Sequence, residues 1–434
     1  MYYRSMLIDF SVTNYRSILE RQTLSMAATA SFKEFENQNT IDTGLNAEAM
    51  PRLLRSSVLY GPNASGKSTL VKAIGFMRDR VLNSQKESQA DDEIETTPFK
   101  LTADSRAADS EFEVAFIENG VRYEYGFRCN KQRFTEEWLF AYPLGRAQKW
   151  FHRLFVPKTG KDIYKFSTLF EGDSKRKDWK DQTRSNSLFF STAISLNNQQ
   201  LKPAYDWFKK RLQVIDSAHG MGIGYTVNRC KNGADKTKIL AFLNSADLSI
   251  ADIRIKEQLF SAEMLPKRMP SVVKEEVLRE MDGKKMTEVK FIHNDVHTKE
   301  AIEFDEDEES DGTRALFAFA GPWLDVTDNE LVLVVDELDT SLHPLLVHHL
   351  VKRLHHGDTK AQLIFTTHDT TLLSQKLLRR DQIWFMEKNQ SKATCLYPLS
   401  DFSPRDNEAI ERGYLNGRYG GIPFLKDLDF YGLG

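Results

Sequence analysis

The eight residues Gly61-Pro62-Asn63-Ala64-Ser65-Gly66-Lys67-Ser68 fit the pattern G-x-x-x-x-G-K-[ST] and constrain this chain more than any other stretch. They follow Ser57-Val58-Leu59-Tyr60, which reads as a buried strand end. They precede Thr69 to Met77, whose apolar residues recur at helical spacing. Strand, glycine-rich turn and helix in that order make a concave loop whose backbone N–H groups point at phosphate oxygens. Gly61 and Gly66 permit the turn. Lys67 is predicted to reach the β- and γ-phosphates of a nucleoside triphosphate, and Ser68 to ligate magnesium.

A second apolar run, Leu331-Val332-Leu333-Val334-Val335, leads directly into Asp336-Glu337. A strand buried to its last residue delivers a carboxylate to the sheet edge where the phosphate loop also lies, the Walker B arrangement. Asp336 is predicted to hold magnesium through water, and Glu337 to polarise the water that attacks the γ-phosphate. Lys67 and Asp336 lie far apart in the chain, so a long insertion between two halves of one core is expected. Another buried strand is read at Gln362 to Thr367, and a helix from about Pro344. Strands alternating with helices indicate a largely parallel sheet covered by helices. Leu7 to Val12 alternates like a half-buried strand, and Asn14 to Ser17 reads as a turn. Phe112–Ile117 and Arg122–Phe127 read as a hairpin closed at Asn119-Gly120. Leu188-Phe189-Phe190 reads as a further strand, and Glu288 to Phe304 returns to strand-like alternation.

At 434 residues the chain is too long for one ordinary core, and two or three lobes are expected. The division predicted is 1–200 for the first half of the core, 201–287 for an inserted, mostly helical lobe or short arm, and 288–434 for the second half. The lobe lacks sustained heptads, which argues against a long coiled coil. A net charge of -3 gives no global basic footprint, so contact with nucleic acid would need a local patch. Cys129, Cys230 and Cys395 are widely spaced, which argues against disulfides or a zinc site and predicts a reducing cytoplasm. No apolar run reaches the ~18 residues that span a bilayer, so no membrane association is expected.

Four further pieces stand in order along the chain: Val12-Thr13-Asn14-Tyr15-Arg16-Ser17, Ser310-Asp311-Gly312-Thr313, Ser341-Leu342-His343-Pro344 and Thr367-His368-Asp369. With them the chain resembles the ABC-type ATPases of the SMC, Rad50 and RecF group. The fold implied is an α/β, ABC/SMC-like P-loop ATPase head with a mixed sheet and an inserted helical lobe. ATP and Mg2+ are the implied ligands, with Arg16, Gly61, Asn63, Ala64, Ser65, Gly66, Lys67, Ser68 and Thr69 at ATP and Ser68 and Asp336 at the metal. Glu337 and the switch histidine His368 are the implied catalytic residues. Ser310, Gly312 and Thr313 occupy the place of the signature, and Ser341 and His343 that of the D-loop; these would act in trans on the nucleotide of a second subunit.

Glu309–Arg314, Asp336–Pro344 and the terminal Tyr414-Leu415-Asn416-Gly417-Arg418-Tyr419-Gly420-Gly421-Ile422-Pro423 are similar to the AAA15/AAA21 group of bacterial ATPases. That resemblance implies a head-to-tail dimer or higher homo-oligomer and antiphage defence of the PARIS, abortive-infection or retron kind. It also implies a separately encoded effector such as a nuclease or toxin, triggered by DNA or a phage protein. His343 departs from the aspartate of transporters, and no Q-loop glutamine is found; Ser191-Thr192 stands in its expected place. A DNA-binding repair or chromosome-maintenance head is the alternative, through Lys175-Arg176-Lys177, Lys180, Arg184 and Lys209-Lys210-Arg211. An OLD-type nuclease is disfavoured because the stretch after His368 lacks a Toprim constellation, and a transporter subunit because no Q-loop is evident. His293-Asn294-Asp295-Val296-His297 reads as a strand end and turn rather than a metal site, and the acidic run Asp305 to Glu309 as a solvated loop.

Overall fold

The phosphate-loop strand lies inside a six-stranded sheet. The computed structural model describes residues 5–45, 52–87, 89–143, 145–216, 221–260, 265, 270–281, 283–340, 342–374, 377–404 and 408–423. The sheet runs in the order Leu212–Ile215, Val332–Val335, Gln362–Thr366, Ser56–Tyr60, Ile383–Lys388 and Thr394–Pro398. Neighbours are parallel except the last pair, so the sheet is mixed as expected. Val332–Val335, Gln362–Thr366 and Ser56–Tyr60 are buried along their whole length, the pattern required of strands covered on both faces. One strand separates the phosphate-loop strand from the acid-bearing strand.

A second sheet of seven strands is antiparallel throughout, in the order Lys161–Phe166, Gln148–Val156, Phe134–Tyr142, Val121–Cys129, Ser110–Glu118, Met6–Thr13 and Gln22–Ser25. The predicted hairpin forms its central strand, Val121–Cys129, and the neighbour Ser110–Glu118. Its turn puts Asn119 and Gly120 at φ 53° and 76°, the left-handed pair that a two-residue hairpin needs. The helix Lys67–Asn83 supplies Leu70, Val71, Ile74 and Met77 to one core with Phe10, Phe112 and Phe116 of the antiparallel sheet and Val332 and Val334 of the other. Buried Gln362 ties the two sheets together. Its amide accepts from Leu7 N at 2.6 Å and donates to Leu7 O at 3.1 Å and Leu54 O at 3.0 Å.

Leu188–Phe190 is not a strand. Phe189–Ser195 is a helix, because the fully buried Glu137 carboxylate accepts Phe189 N at 2.7 Å and Phe190 N at 2.9 Å, satisfying N–H groups of the first turn. Ser191 and Thr192 are buried there. Ser191 Oγ donates to Val81 O at 2.6 Å and Thr192 Oγ1 to Leu188 O at 3.0 Å, so both hydroxyls serve helix packing.

The chain divides into two compact units, Met1–Ala218 with Val326–Gly434, and His219–Asp325. Residues 202–215, which the sequence reading assigns to the lobe, lie in the first unit, since Leu212–Ile215 pairs with Val332–Val335. The second unit is not wholly helical. Its sheet of Asp252–Leu259, Lys285–Asn294 and Ala301–Asp305 is antiparallel. The last two strands fall mostly in the alternating stretch Glu288 to Phe304, while Asp252–Leu259, mostly exposed, carries too weak an apolar signal for sequence reading. Phe291 packs edge-on to Phe317 at 5.1 Å, and the hydroxyl of Thr226 joins Ala318 O and Gly321 N. A Cβ at Gly321 would fall 2.5 Å from that hydroxyl. His293 Nε2 lies 2.5 Å from Glu309 Oε1. Among the described residues no cluster of three or more His, Cys, Asp or Glu could hold a metal, and no helix is long and apolar enough to cross a membrane.

Candidate nucleotide site

Gly66 caps the helix Lys67–Asn83 at φ 113°, a backbone that only glycine adopts without strain. A Cβ there would sit 2.2 Å from Thr394 Oγ1; at Gly61 it would sit 2.4 Å from Met386 O. The loop is therefore wedged against the strand pair Ile383–Lys388 and Thr394–Pro398, and both glycines are required by close approach. Lys67 is 6 % exposed, and Nζ donates to Gly61 O at 2.7 Å and Pro62 O at 3.3 Å. The ammonium thus rests on carbonyls of its own loop. Burial pulls its pKa below the ordinary lysine value, against the opposite pull of Asp336, Glu337 and Asp339. Ser65 Oγ is buried without a hydrogen-bond partner among the described residues. Asn63 and Ala64 are exposed on the loop, and Ser68 and Thr69 are half-buried on the first helical turn.

Behind the loop stands Thr394, which the sequence reading did not single out. Its hydroxyl donates to Ser65 O at 2.7 Å, receives Lys388 Nζ at 3.0 Å and shares a 2.9 Å hydrogen bond with Ser17 Oγ. Ser17 also donates to Thr69 Oγ1 at 3.0 Å, and its carbonyl accepts Thr394 N at 2.8 Å. The turn Asn14 to Ser17 is thereby fastened to the loop. Arg16, at φ 51°, is exposed, with Nε donating to Tyr15 OH at 3.1 Å and the guanidinium 5.5 Å from the Tyr15 ring centroid. Arg16 is marked in the sequence by the resemblance of Val12 to Ser17 to the opening element of the SMC, Rad50 and RecF group. Nothing local marks Thr394, because Ser65 and Ser17, which it joins to each other, lie hundreds of residues away.

Asp336 is 5 % exposed at the end of its strand. Thr366 Oγ1 donates to Asp336 Oδ1 at 2.6 Å and accepts Glu337 N at 2.7 Å. Glu337 lies at φ 52°, and Thr340 Oγ1 donates to its Oε2 at 3.2 Å. Asp339 Oδ2 accepts His368 N at 3.0 Å, while Asp339 Oδ1 is buried without a partner among the described residues. The His368 imidazole is held below its ordinary pKa by burial first and then by the Lys67 charge, against Asp339, Glu337 and Asp336. Lys67, the three carboxylates and His368 therefore share one electrostatic neighbourhood. Asp336 and the Ser68 hydroxyl are the oxygen donors that a magnesium ion takes, and orphaned oxygens on Ser65 and Asp339 fit a site built for a polar ligand.

In the second unit, Ser310 Oγ accepts Thr313 N at 3.1 Å and shares a 2.9 Å bond with Thr313 Oγ1, opening the helix Asp311–Asn329. Around Gly312 a Cβ would meet only Ser310 Oγ, at 3.8 Å, so its backbone is open to approach. Ser341 lies outside the described residues. His343 is exposed, and its Nδ1 accepts Leu345 N at 3.3 Å, capping Pro344–His356. The first unit thus brings the loop, Arg16, Asp336, Glu337 and His368 to one sheet edge. Ser310, Gly312 and Thr313 form a helix start in the other unit.

The family described as AAA domain, putative AbiEii toxin, Type IV TA system (AAA_21) matches residues 56–374, well over half of the chain. A comparison with curated proteins finds no match. Among solved structures, the SMC head domain from Thermotoga maritima is similar at 13 % identity and a TM-score of 0.38, over 90 % of this chain and 98 % of that one. An SMC head bound to the C-terminal winged-helix domain of ScpA is similar at 14 % and 0.38, over 90 % and 97 %. The recombination mediator RecF with ATP is similar at 14 % and 0.34, over 84 % and 94 %.

Proposed function

The chain belongs to the AAA_21 family of AAA-domain proteins, and from that premise we propose that it binds and hydrolyses ATP as a switch whose subunits pair around the nucleotide. The observation that carries this reading is the gathering of Lys67, Asp336, Glu337 and His368 at one sheet edge, with Lys67 parked on loop carbonyls that a phosphate would displace. In it Lys67 and the loop N–H groups hold the β- and γ-phosphates, and Glu337 polarises the attacking water. Magnesium, held by Ser68 and Asp336, would neutralise charge developing on the phosphates. His368, kept neutral by burial and by Lys67, can donate or accept one hydrogen bond at the γ-phosphate.

One chain carries one phosphate loop and one Ser310-x-Gly312 turn, so a complete site takes two subunits head to tail. Ser310 and Gly312 of one would engage the γ-phosphate held by the other. ATP then acts as the joint, and hydrolysis releases it. The family description, a putative AbiEii toxin of a type IV TA system, supports a toxin–antitoxin setting, and we extend this to a defence role beside a separately encoded effector. A DNA-binding head has less support. In the basic run Arg176 stacks on Phe166 and Phe170 and pairs with Asp173, and Arg184 donates to Gln85 O at 2.9 Å, leaving Lys175 and Lys177 exposed.

The test is Glu337→Gln beside Lys67→Ala and Ser310→Arg, followed by ATP turnover and light scattering. Glu337→Gln should bind ATP, lose turnover and accumulate as a dimer or larger assembly. Lys67→Ala should lose binding, and Ser310→Arg should keep binding but lose turnover. Wild-type turnover in Glu337→Gln would sink the assignment of the base, and in Ser310→Arg that of a shared site.

A further inference from the structure

Residues Tyr414 to Gly421 contribute no group to the site above, yet they are fastened to one place beside it. Phe385, on the strand next to the phosphate-loop strand, stacks on Tyr414 at 5.2 Å and 15° and on Tyr419 at 5.8 Å and 11°. Gly420 and Gly421 have φ of 66° and 65°, and a Cβ at Gly420 would fall 2.4 Å from Tyr397 Oη. Tyr397 donates to Tyr419 O at 3.0 Å, Tyr414 to Gly421 O at 2.8 Å, and Gly421 N to Glu387 Oε2 at 3.0 Å. The segment thus closes on itself and on the edge strand pair.

Beside this knot two hydrogen bonds reach the loop that carries His368, one from the end of the phosphate-loop strand and one to the helix Ile410–Leu415 that leads into the knot. Tyr60, packed 5.7 Å from the Tyr414 ring, donates to Asp369 O at 3.0 Å. Thr370 Oγ1 donates to Glu411 Oε1 at 3.1 Å. From the opposite side Asp339 Oδ2 accepts His368 N at 3.0 Å. We propose that the terminal segment is a positioning element for the histidine loop, with Tyr60 and Glu411 as the positioning residues that set where His368 stands. This deepens the nucleotide-switch reading and rests on it. Burial keeps the Tyr60 phenol protonated, hence a donor. The charges facing His368 are Lys67 from the phosphate-loop helix and Asp336, Glu337 and Asp339 from the acid loop. A loosened loop would give the imidazole more water and remove part of what holds its pKa down.

The experiment compares full-length wild type with Tyr60→Phe, Glu411→Ala, Glu411→Gln and His368→Ala. It reads binding of a fluorescent ATP analogue, kcat for ATP, and the His368 imidazole titration by NMR. Tyr60→Phe and Glu411→Ala should bind the analogue within about twofold of wild type and lose about tenfold in kcat, Glu411→Gln should retain kcat, and adding Tyr60→Phe to His368→Ala should change nothing further. The His368 midpoint should rise in Tyr60→Phe. Unchanged kcat in both single variants, an equal loss in the His368→Ala background, or an unmoved midpoint would overturn the proposal. Absence of turnover in wild type would instead sink the switch reading, and the NMR midpoint would still decide the positioning.

Discussion

Thr366 Oγ1 lies 2.6 Å from Asp336 Oδ1 and donates to it, while the same oxygen accepts the backbone N–H of Glu337 at 2.7 Å. One buried hydroxyl on the neighbouring strand therefore fixes the side chain of one acid and the backbone of the next. The second bond matters because Glu337 occupies left-handed space at φ 52°, where a residue with a Cβ stays only when its surroundings hold it.

Thr366→Val removes that hydroxyl without changing the shape of the side chain. Glu337 N and Asp336 Oδ1 are left short of a partner, which costs about 1–3 kcal/mol of stability. Turnover should fall about ten- to a hundredfold, with ATP binding changed much less, because the phosphate loop is untouched. Thr366→Ser should restore both. Urea unfolding and phosphate release measure the two effects, and a valine variant with full turnover would show that the Thr366 bonds are not needed to orient Glu337.

Gly66→Ala meets two separate obstacles. Its Cβ would fall 2.2 Å from Thr394 Oγ1, and its backbone would still have to hold φ 113°. The single variant should lose nucleotide binding and melt several degrees lower. Pairing it with Thr394→Ala relieves the contact but not the backbone strain, so binding should return only in part. Full recovery in the double variant, seen by calorimetric titration with ATP, would mean that the contact alone matters.

What the sequence discloses follows from the range of each interaction. The loop Gly61–Ser68, the hairpin turn at Asn119-Gly120 and the buried strand before Asp336 are local patterns, and all three stand where their spacing predicts. The helix at Phe189 is invisible locally, since three apolar residues fit either state and the deciding group is the Glu137 carboxylate, 52 residues away. Thr394 is hidden for the same reason, joined to Ser65 across 329 residues. Thr366 could have been found: a polar residue ending a buried strand beside an acid-bearing strand has few uses other than binding that acid. Of the strands in the second unit, Lys285–Asn294 and Ala301–Asp305 fall mostly in the alternating stretch Glu288 to Phe304, whereas Asp252–Leu259 escapes because its exposed positions blur the alternation on which strand reading depends.

Stability should depend on pH through a residue distant from catalysis. His355 is 2 % exposed, its Nε2 lies 2.9 Å from Ser56 Oγ, and burial first, then the Arg55 and His356 charges, push its pKa down from 6.5 to about 3. Below the ordinary imidazole value the unfolded chain takes up a proton that the folded chain refuses until about pH 3. The stability associated with neutral His355 is therefore intact above pH 6.5 and is lost progressively as pH falls through that window. At about pH 5 the loss amounts to about 2 kcal/mol. His355→Gln keeps a hydrogen-bonding group but cannot titrate, so its stability should fall less steeply than that of wild type between pH 7 and 5. Urea unfolding of both proteins at the two pH values tests this, and parallel losses would show that other groups carry the dependence.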